Sequence, residues 1–229
     1  MGIEVAARYA RVREQVAQAA RRSGRPPEAV TIVCAAKTKG PELVRAALAA
    51  GATDIGENYV QEAQEKIALV PEPARWHLIG HLQRNKARVA ARLFTLIHSL
   101  DSVALARELH RQGEKLGTVV RALIELNLGD EPTKSGIAVR QLDTLLQEVA
   151  ALPCLRVEGL MTVPPVGAHA EAARPYFRAL AQLREQYARF RTATVALHEL
   201  SMGMTDDYPV AIEEGATIVR IGRAIFGER

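Results

Sequence analysis

Cysteine is scarce in this sequence, and so are segments that would direct a chain into or across a membrane. The two cysteines, Cys34 and Cys154, lie far apart and belong to no CxxC or other metal-ligand spacing, which argues against a disulfide framework. The first fifteen residues, MGIEVAARYARVREQ, carry frequent charges and no apolar core, unlike a signal peptide. No run of about 18 apolar residues occurs, so we expect no membrane span. These absences predict a cytoplasmic protein.

The sequence also lacks a segment in which charges of one sign are concentrated. The 30 Lys and Arg residues and 26 Asp and Glu residues leave a net charge of only +4. The densest basic stretch contains Arg84, Lys86, Arg88 and Arg92, but it lacks the aromatic interleaving of a nucleic-acid surface. We interpret it as a solvated helix face and expect no nucleic-acid partner.

The sequence does contain a regular alternation of strand and helix patterns. A helical repeat of apolar residues from Val5 to Val16 ends before Gly24, and AVTIVCAA then reads as a strand buried on both faces. Further strands are separated by helical patterns. The eight predicted strands cover residues 29–36, 53–55, 76–79, 96–98, 119–126, 155–158, 195–198 and 217–221.

Eight strands alternating with helices predict a (β/α)8 barrel, an α/β fold. We expect one domain over residues 1–229, with an additional amino-terminal helix. A doubly wound open sheet is the alternative, although no GxGxxG motif follows the first strand.

Lysines at the end of the first strand are the first candidate functional residues, because active sites of such barrels lie at the carboxyl ends of the strands. A lysine held against an apolar interior has a lowered pKa, and its amine becomes available for a Schiff base. Lys37 and Lys39 are both candidates, although a lone lysine more often only reaches water. Lys37 is preferred because it continues the strand.

Glycines follow the last two predicted strands, Gly203 in SMGMTDDYP and Gly222 in RIGRAIFG. Barrels of this kind bind phosphate with these two loops and a short helix, which we expect to begin at Arg223 with its positive end toward the anion. An amine and a phosphate site across one barrel mouth suit a phosphorylated aldehyde. Pyridoxal 5′-phosphate (PLP) fits, and a Schiff-base aldolase acting on a sugar phosphate would use similar parts.

Ordered blocks along nearly the whole chain resemble the YggS/PROSC family of pyridoxal phosphate homeostasis proteins. They are AAKTKG, DIGENYVQE, WHLIGHLQRNK, IHSLDS, ELNLGDEPTKSG, GLMTVPP, LSMGMTDDY and VRIGRAIFG. The resemblance implies a barrel similar to the amino-terminal domain of alanine racemase. It also implies that Lys37 matches the lysine that holds PLP as a Schiff base.

The same resemblance implies roles for residues near the carboxyl end of the sequence. Ser201, Gly222 and Arg223 match phosphate contacts of fold-type III proteins, and Arg220 matches the arginine that faces the pyridine nitrogen. A guanidinium has no acceptor, so it cannot stabilise a protonated ring nitrogen, and the ring becomes a weakened electron sink. The chain departs from the family at Arg223, where threonine is usual. A backbone N–H still remains there for the phosphate.

Two residues beyond other strands are implied to line the mouth of the pocket, Asn58 and His81. His77 and His81 also have the spacing of two metal ligands on a helix. They straddle a strand end instead, and we expect no metal site. Glu57 is either a further rim residue or a carboxylate that favours the first turn of its helix through the macrodipole. Glu125, at the end of the fifth strand, is equally a pocket residue or a satisfied loop residue.

The resemblance implies a protein that holds PLP on Lys37 and buffers or delivers it in vitamin B6 homeostasis, with PLP-dependent apoenzymes as recipients. We expect no robust catalysis, and a monomer or at most a weak dimer. The alternative is a fold-type III amino-acid racemase. Such racemases take a second base, a tyrosine, from the partner subunit's carboxyl-terminal domain, and two-base proton transfer needs a group on each face of the substrate. No second base is evident in this sequence.

Overall fold

The computed structural model describes residues 2–131, 134–165, 167 and 169–228. In this part of the chain, eight parallel strands pair in chain order and close into a barrel. The strands are β1 (Thr31–Ala35), β2 (Asp54–Glu57), β3 (Arg75–Leu78), β4 (Leu96–Leu100), β5 (Val120–Leu126), β6 (Leu155–Thr162), β7 (Val195–Ser201) and β8 (Ile218–Ile221).

The barrel closes between its first and last strands, where Cys34 of β1 is in register with Ile221 of β8. Every strand therefore has two hydrogen-bonded neighbours, and no sheet edge remains. The predicted (β/α)8 barrel is confirmed, and the open-sheet alternative is wrong.

Helices cover the outside of the barrel, and the predicted additional helix at the amino terminus is present. Val5, Tyr9, Val12 and Val16 are the apolar repeat of this first helix, and all four are buried. The helices are α1 (Gly2–Arg22), α2 (Pro41–Ala49), α3 (Val60–Leu69), α4 (Ala87–Leu93), α5 (Val103–Leu116), α6 (Leu142–Ala150), α7 (Arg174–Gln186), α8 (Tyr208–Glu213) and α9 (Arg223–Phe226). None of the helices among the described residues is long and apolar enough to cross a membrane.

Two strands continue at least three residues further than the sequence pattern predicts. β6 continues through Gly159 to Thr162, and β7 continues to Ser201. Glycine resembles a strand break in sequence, but here it allows the neighbouring strand to approach closely. An ideal Cβ at Gly159 would lie only 1.9 Å from the carbonyl oxygen of Glu199 in β7. The extension brings Met161 and Ser201 into the barrel.

A small apolar layer fills the barrel interior beneath the carboxyl ends of the strands. Its buried residues come from five strands and are Val33, Leu96, Leu123, Met161 and Ile218. Side chains alternate along a strand, so residues two positions further along point to the same side. This alternation places His98, Glu125 and Arg220 above the apolar layer, and all three are buried. The candidate site therefore lies on a layer of buried apolar side chains.

Candidate functional site

The structure brings the predicted site residues to one sector of the barrel. Because β1 pairs with β8, the strands β7, β8, β1, β2 and β3 are consecutive around the barrel, and their carboxyl ends share one rim. Lys37, Asn58 and His81 follow β1, β2 and β3, Ser201 ends β7, Arg220 lies within β8, and Gly222 and Arg223 follow it.

The two candidate lysines have different surroundings. Lys37 is half-buried two residues beyond β1, in the turn that follows the strand. The Lys39 ammonium instead donates to the carbonyl oxygens of Gly227 at 3.2 Å and Glu228 at 2.8 Å. Lys39 is thus held by backbone carbonyls near the carboxyl end of the chain. The choice of Lys37 as the lysine of the barrel mouth stays a prediction.

A chain of five buried polar side chains crosses the barrel interior below the rim. Arg220 Nη1 lies 2.6 Å from Ser201 Oγ, which lies 2.9 Å from His98 Nδ1. His98 Nε2 lies 2.9 Å from His77 Nδ1, and His77 Nε2 lies 2.9 Å from Asp54 Oδ1. These side chains come from five different strands, so only a closed barrel brings them together.

The hydrogen bonds at the two ends of this chain have a fixed direction. Arg220 can only donate, and an ionised Asp54 can only accept. Burial lowers the pKa of His98 well below its ordinary value, and the nearby positive charges of His77 and Arg220 add to this effect. Arg220 therefore donates to Ser201 at one end of the chain, and His77 donates to Asp54 at the other.

Asp54 is the anionic end of this chain. Burial raises the pKa of its carboxyl, but hydrogen bonds from His77, Arg75 and Thr53 outweigh burial and hold the pKa well below its ordinary value. Arg75 Nη2 lies 2.6 Å from Asp54 Oδ2. Asp54 therefore stays ionised and accepts from both the barrel interior and the amino-terminal face.

Ser201 was expected to contact a phosphate group. Its hydroxyl is fully buried and is bonded to Arg220 and His98, so in this structure it belongs to the interior chain. The phosphate contact of Ser201 stays a prediction.

Arg220 is a buried cation next to the rim. Its Nη2 donates to the carbonyl oxygen of Thr162 at 3.0 Å. Burial lowers the pKa of Arg220 to about 10, although the charges of Glu125 and Asp207 oppose that shift. The guanidinium therefore remains charged at neutral pH, and two of its nitrogens are committed to protein acceptors.

The sequence is compatible with Glu125 as a pocket residue or as a loop residue. It is the sixth residue of β5 and is buried, and its Oε2 accepts no hydrogen bond within the described part of the chain. Burial raises the pKa of its carboxyl to about 7, against the charge of Arg220. It is therefore a strand residue beside the candidate site rather than a loop residue.

The loops after β7 and β8 are shaped by their glycines in different ways. Gly203 has a φ of 93°, and an ideal Cβ there would lie 2.6 Å from the Cβ of Ala211. Gly222 has an ordinary φ of −108°, so it does not need glycine for its backbone angles. An ideal Cβ at Gly222 would lie 3.2 Å from the carbonyl oxygen of Ala35. Space rather than conformation is therefore restricted at Gly222.

The predicted helix start at Arg223 is confirmed, since α9 begins at that residue. Its half-exposed side chain forms an ion pair with Asp206 and lies 3.7 Å from Glu228. The guanidinium is thus engaged by carboxylates, and a phosphate contact of the Arg223 side chain stays a prediction.

Asn58 and His81 are brought together as lining residues of one cleft of about 300 Å³. The two loops touch at Gly80, where an ideal Cβ would lie 2.4 Å from the carbonyl oxygen of Asn58. His81 Nδ1 lies 3.1 Å from Asp101 Oδ2. His77 points away from this cleft into the interior chain. Among the residues that the structure describes, no group of three or more His, Cys, Asp or Glu side chains is placed to hold a metal ion.

Glu57 is not in the first turn of a helix, and that interpretation is wrong. It is the last residue of β2, is fully buried, and accepts a hydrogen bond from Lys66 of α3 at 2.5 Å. Burial raises the pKa of Glu57 to about 7, although the hydrogen bond and charge of Lys66 lower it. Sequence reasoning missed Lys66, because a strand-to-helix ion pair has no fixed spacing along the chain.

Comparison with known proteins identifies the family. The sequence model of the family described as alanine racemase, N-terminal domain, matches residues 8–229. A pyridoxal phosphate homeostasis protein from Aquifex aeolicus is 44% identical over 223 residues, which cover 97% of both chains. Another protein of that name, from Escherichia coli, is 40% identical and covers 99% of this chain and 97% of its own. This chain belongs to that family.

Solved structures with this family fold agree with the barrel described above. A protein from Bifidobacterium adolescentis described as unknown has a TM-score of 0.92 at 33% identity, covering 98% of this chain and 95% of its own. PipY from Synechococcus elongatus, solved with PLP bound, has a TM-score of 0.83 at 35% identity, covering 97% and 100%. Alanine racemase from Bartonella henselae, at 14% identity and a TM-score of 0.72, shares the fold over 99% of this chain and 59% of its own.

The interior chain gives a prediction for stability. We expect Asp54→Asn to lower the free energy of unfolding at pH 7 by about 1.5–3 kcal/mol, because His77 and Arg75 lose an ionised acceptor. A carboxyl with a depressed folded pKa stabilises the fold above its unfolded pKa of about 3.9 and loses that contribution as the pH falls further. The deficit of the variant should therefore shrink toward pH 3.

Urea unfolding followed by circular dichroism at both pH values measures this deficit. Glu148→Gln is the control, because it removes an ion pair with the exposed Arg107 and should cost at most about 1 kcal/mol. A deficit for Asp54→Asn that stays constant between pH 7 and pH 3 would contradict the assignment.

Proposed function

We propose that this protein binds PLP covalently on Lys37 and holds or delivers it in vitamin B6 homeostasis. The observation that carries the proposal is the placement of Lys37 on the rim beside β8, the strand that contains Arg220 and leads into Gly222. PipY, which is 35% identical over 97% of this chain, was solved with PLP bound. Relatives covering the whole chain are named pyridoxal phosphate homeostasis proteins.

The described residues fit PLP on structural grounds. The half-buried Lys37 offers an amine, the buried Arg220 offers a fixed positive charge, and Gly222 leaves space where a Cβ would crowd Ala35. PLP supplies an aldehyde that condenses with a lysine amine, with loss of one water, and a ring that withdraws electrons. The loops after β7 and β8 are the proposed phosphate cradle, with Ser201, Gly222 and Arg223 as its contacts.

The interior chain supports holding the cofactor rather than turning substrates over. Arg220 has no acceptor and remains charged at neutral pH, so it does not stabilise a protonated pyridine nitrogen. Its partners Ser201 and Thr162 fix the guanidinium in one orientation. A ring that faces Arg220 therefore withdraws electrons less strongly, which disfavours proton removal from a bound amino acid.

Several parts of this proposal are inferred from the sequence and the family alone. Asn58 and His81 are proposed to line the entrance to the pocket. PLP-dependent apoenzymes are proposed as recipients, and the single-domain organisation, the monomeric or weakly dimeric state and the cytoplasmic location stay predictions.

The first test is the identity of the modified lysine. Purified protein incubated with PLP and then reduced with borohydride should carry the label on Lys37, which peptide mapping by mass spectrometry detects. Lys39→Ala should retain the label, because the Lys39 ammonium is held by backbone carbonyls. A label found mainly on Lys39 would refute the site assignment.

The second test separates backbone from side-chain contributions to phosphate binding. We expect Arg223→Thr to change the PLP dissociation constant by less than about tenfold, since an exposed ion pair contributes about 0.2–1 kcal/mol. Gly222→Val should weaken binding much more, because a branched side chain would crowd Ala35 and the phosphate space. Fluorescence titration of both variants ranks their PLP dissociation constants. The reverse ranking would show that the phosphate does not bind against Gly222.

The third test concerns racemase activity. We expect turnover on alanine or serine to be absent or near background, because a positioned acid or base contributes about 100- to 10,000-fold in rate. Chiral chromatography measures the product. Turnover near about 10 per second, a typical enzyme rate, would make the protein a racemase. Glu125→Gln would then identify whether the buried carboxyl of Glu125 supplies the second base.

A further inference from the structure

The short turn that carries Lys37 is fastened on both sides by side chains of α3. Lys66 Nζ donates to the carbonyl oxygen of Ala36 at 2.9 Å, immediately before Lys37. Glu62 Oε1 accepts from the backbone N–H of Thr38 at 2.7 Å, immediately after it. Lys66 Nζ also lies 3.1 Å from the same Glu62 oxygen. The peptide groups that flank Lys37 are therefore held by one helix.

The residues that hold this turn form a buried cluster with Glu57 at its base. The Lys66 and Glu57 side chains are only 5% and 0% exposed, and Lys66 Nζ lies 2.5 Å from Glu57 Oε1. The three acceptors of Lys66 are Ala36, Glu57 and Glu62, which match the three protons of an ammonium. Burying such charges is costly, and well-packed apolar residues often stabilise a fold as well or better. Stability alone is therefore a weak explanation for the cluster.

The backbone of the turn is itself strained. Thr38 has a φ of 62°, the left-handed region that β-branched residues avoid. Strain of this kind persists only where the surroundings fix the conformation, and it concentrates at functional sites. Here the fixing group is Glu62, which binds the N–H of the strained residue.

We propose that Lys66, Glu62 and Glu57 are positioning residues that hold the strained turn and thereby aim the Lys37 amine into the barrel mouth. This inference rests on the proposed function, because it concerns the amine that reacts with PLP. The cluster acts on the lysine and not on the phosphate cradle, since its contacts are confined to the turn after β1, the end of β2 and α3.

Two ligands distinguish an effect on the Lys37 amine from an effect on the phosphate cradle. PLP forms a bond with the Lys37 amine, whereas pyridoxine 5′-phosphate has an alcohol in place of the aldehyde and binds without that bond. We expect Lys66→Met to weaken PLP binding by about 10- to 100-fold, the range for lost hydrogen bonds to a charged group. Its affinity for pyridoxine 5′-phosphate should stay within about threefold of the wild type, and its imine absorbance should form more slowly.

A milder variant and a matched control keep the test valid if Lys66→Met folds poorly. Glu62→Ala removes the bond to Thr38 from a partly exposed position and should show the same selective loss of PLP binding. Glu65→Ala changes an exposed residue of the same helix and should leave both affinities unchanged. Thr38→Gly, introduced into the Glu62→Ala variant, relieves the left-handed strain and should restore part of the PLP affinity.

Each outcome decides the proposal. A selective loss of PLP binding with rescue by Thr38→Gly supports positioning. Equal losses for both ligands would mean that the cluster only stabilises the barrel, and unchanged PLP binding would mean that it has no role toward Lys37. If the wild type binds pyridoxine 5′-phosphate but borohydride fixes no PLP to Lys37, the proposed function has failed and this inference fails with it.

Discussion

A permanently charged guanidinium enclosed in the barrel is the constraint on which the interior depends. Arg220 is buried, and an arginine cannot lose its charge to relieve the cost of burial. It therefore needs acceptors within the barrel, which Ser201 and the Thr162 carbonyl provide. Ser201 is in turn hydrogen-bonded to His98, and the chain of hydrogen bonds ends at the ionised Asp54. The buried Arg220 is thus accompanied by hydrogen-bonded polar side chains on several other strands.

This constraint also limits the chemistry that the site supports. The guanidinium of Arg220 is held in one place by Ser201 and the Thr162 carbonyl, and it has no acceptor of its own. A ring nitrogen next to such a group keeps its lone pair, so the proposed cofactor is bound without full activation. The same interior that satisfies a buried charge therefore sets the electrostatic surroundings of the proposed cofactor.

Sequence patterns predicted the barrel because buried parallel strands are nearly continuous apolar runs, and all eight appeared near their observed positions. The ends were less predictable, since Gly159 reads as a break although it accommodates the backbone of Glu199. The position of Lys37 just after β1 was predictable because this residue ends an apolar run. The bond between His98 and Ser201 was not, because those residues are 103 positions apart in sequence. Only closure of the barrel makes them neighbours.

Strand alternation explains how a single strand, β2, serves both polar networks. Asp54 and Gly56 lie on its inner side: Asp54 bonds to His77, and a Cβ at Gly56 would lie 2.7 Å from a side-chain atom of the interior residue Val33. Glu57 has the opposite phase and meets Lys66 of α3 outside the barrel. Residues of one phase therefore face the barrel interior, and residues of the other phase contact the surrounding helix. A side chain at a barrel mouth keeps a fixed orientation only when the backbone that carries it is held by such contacts.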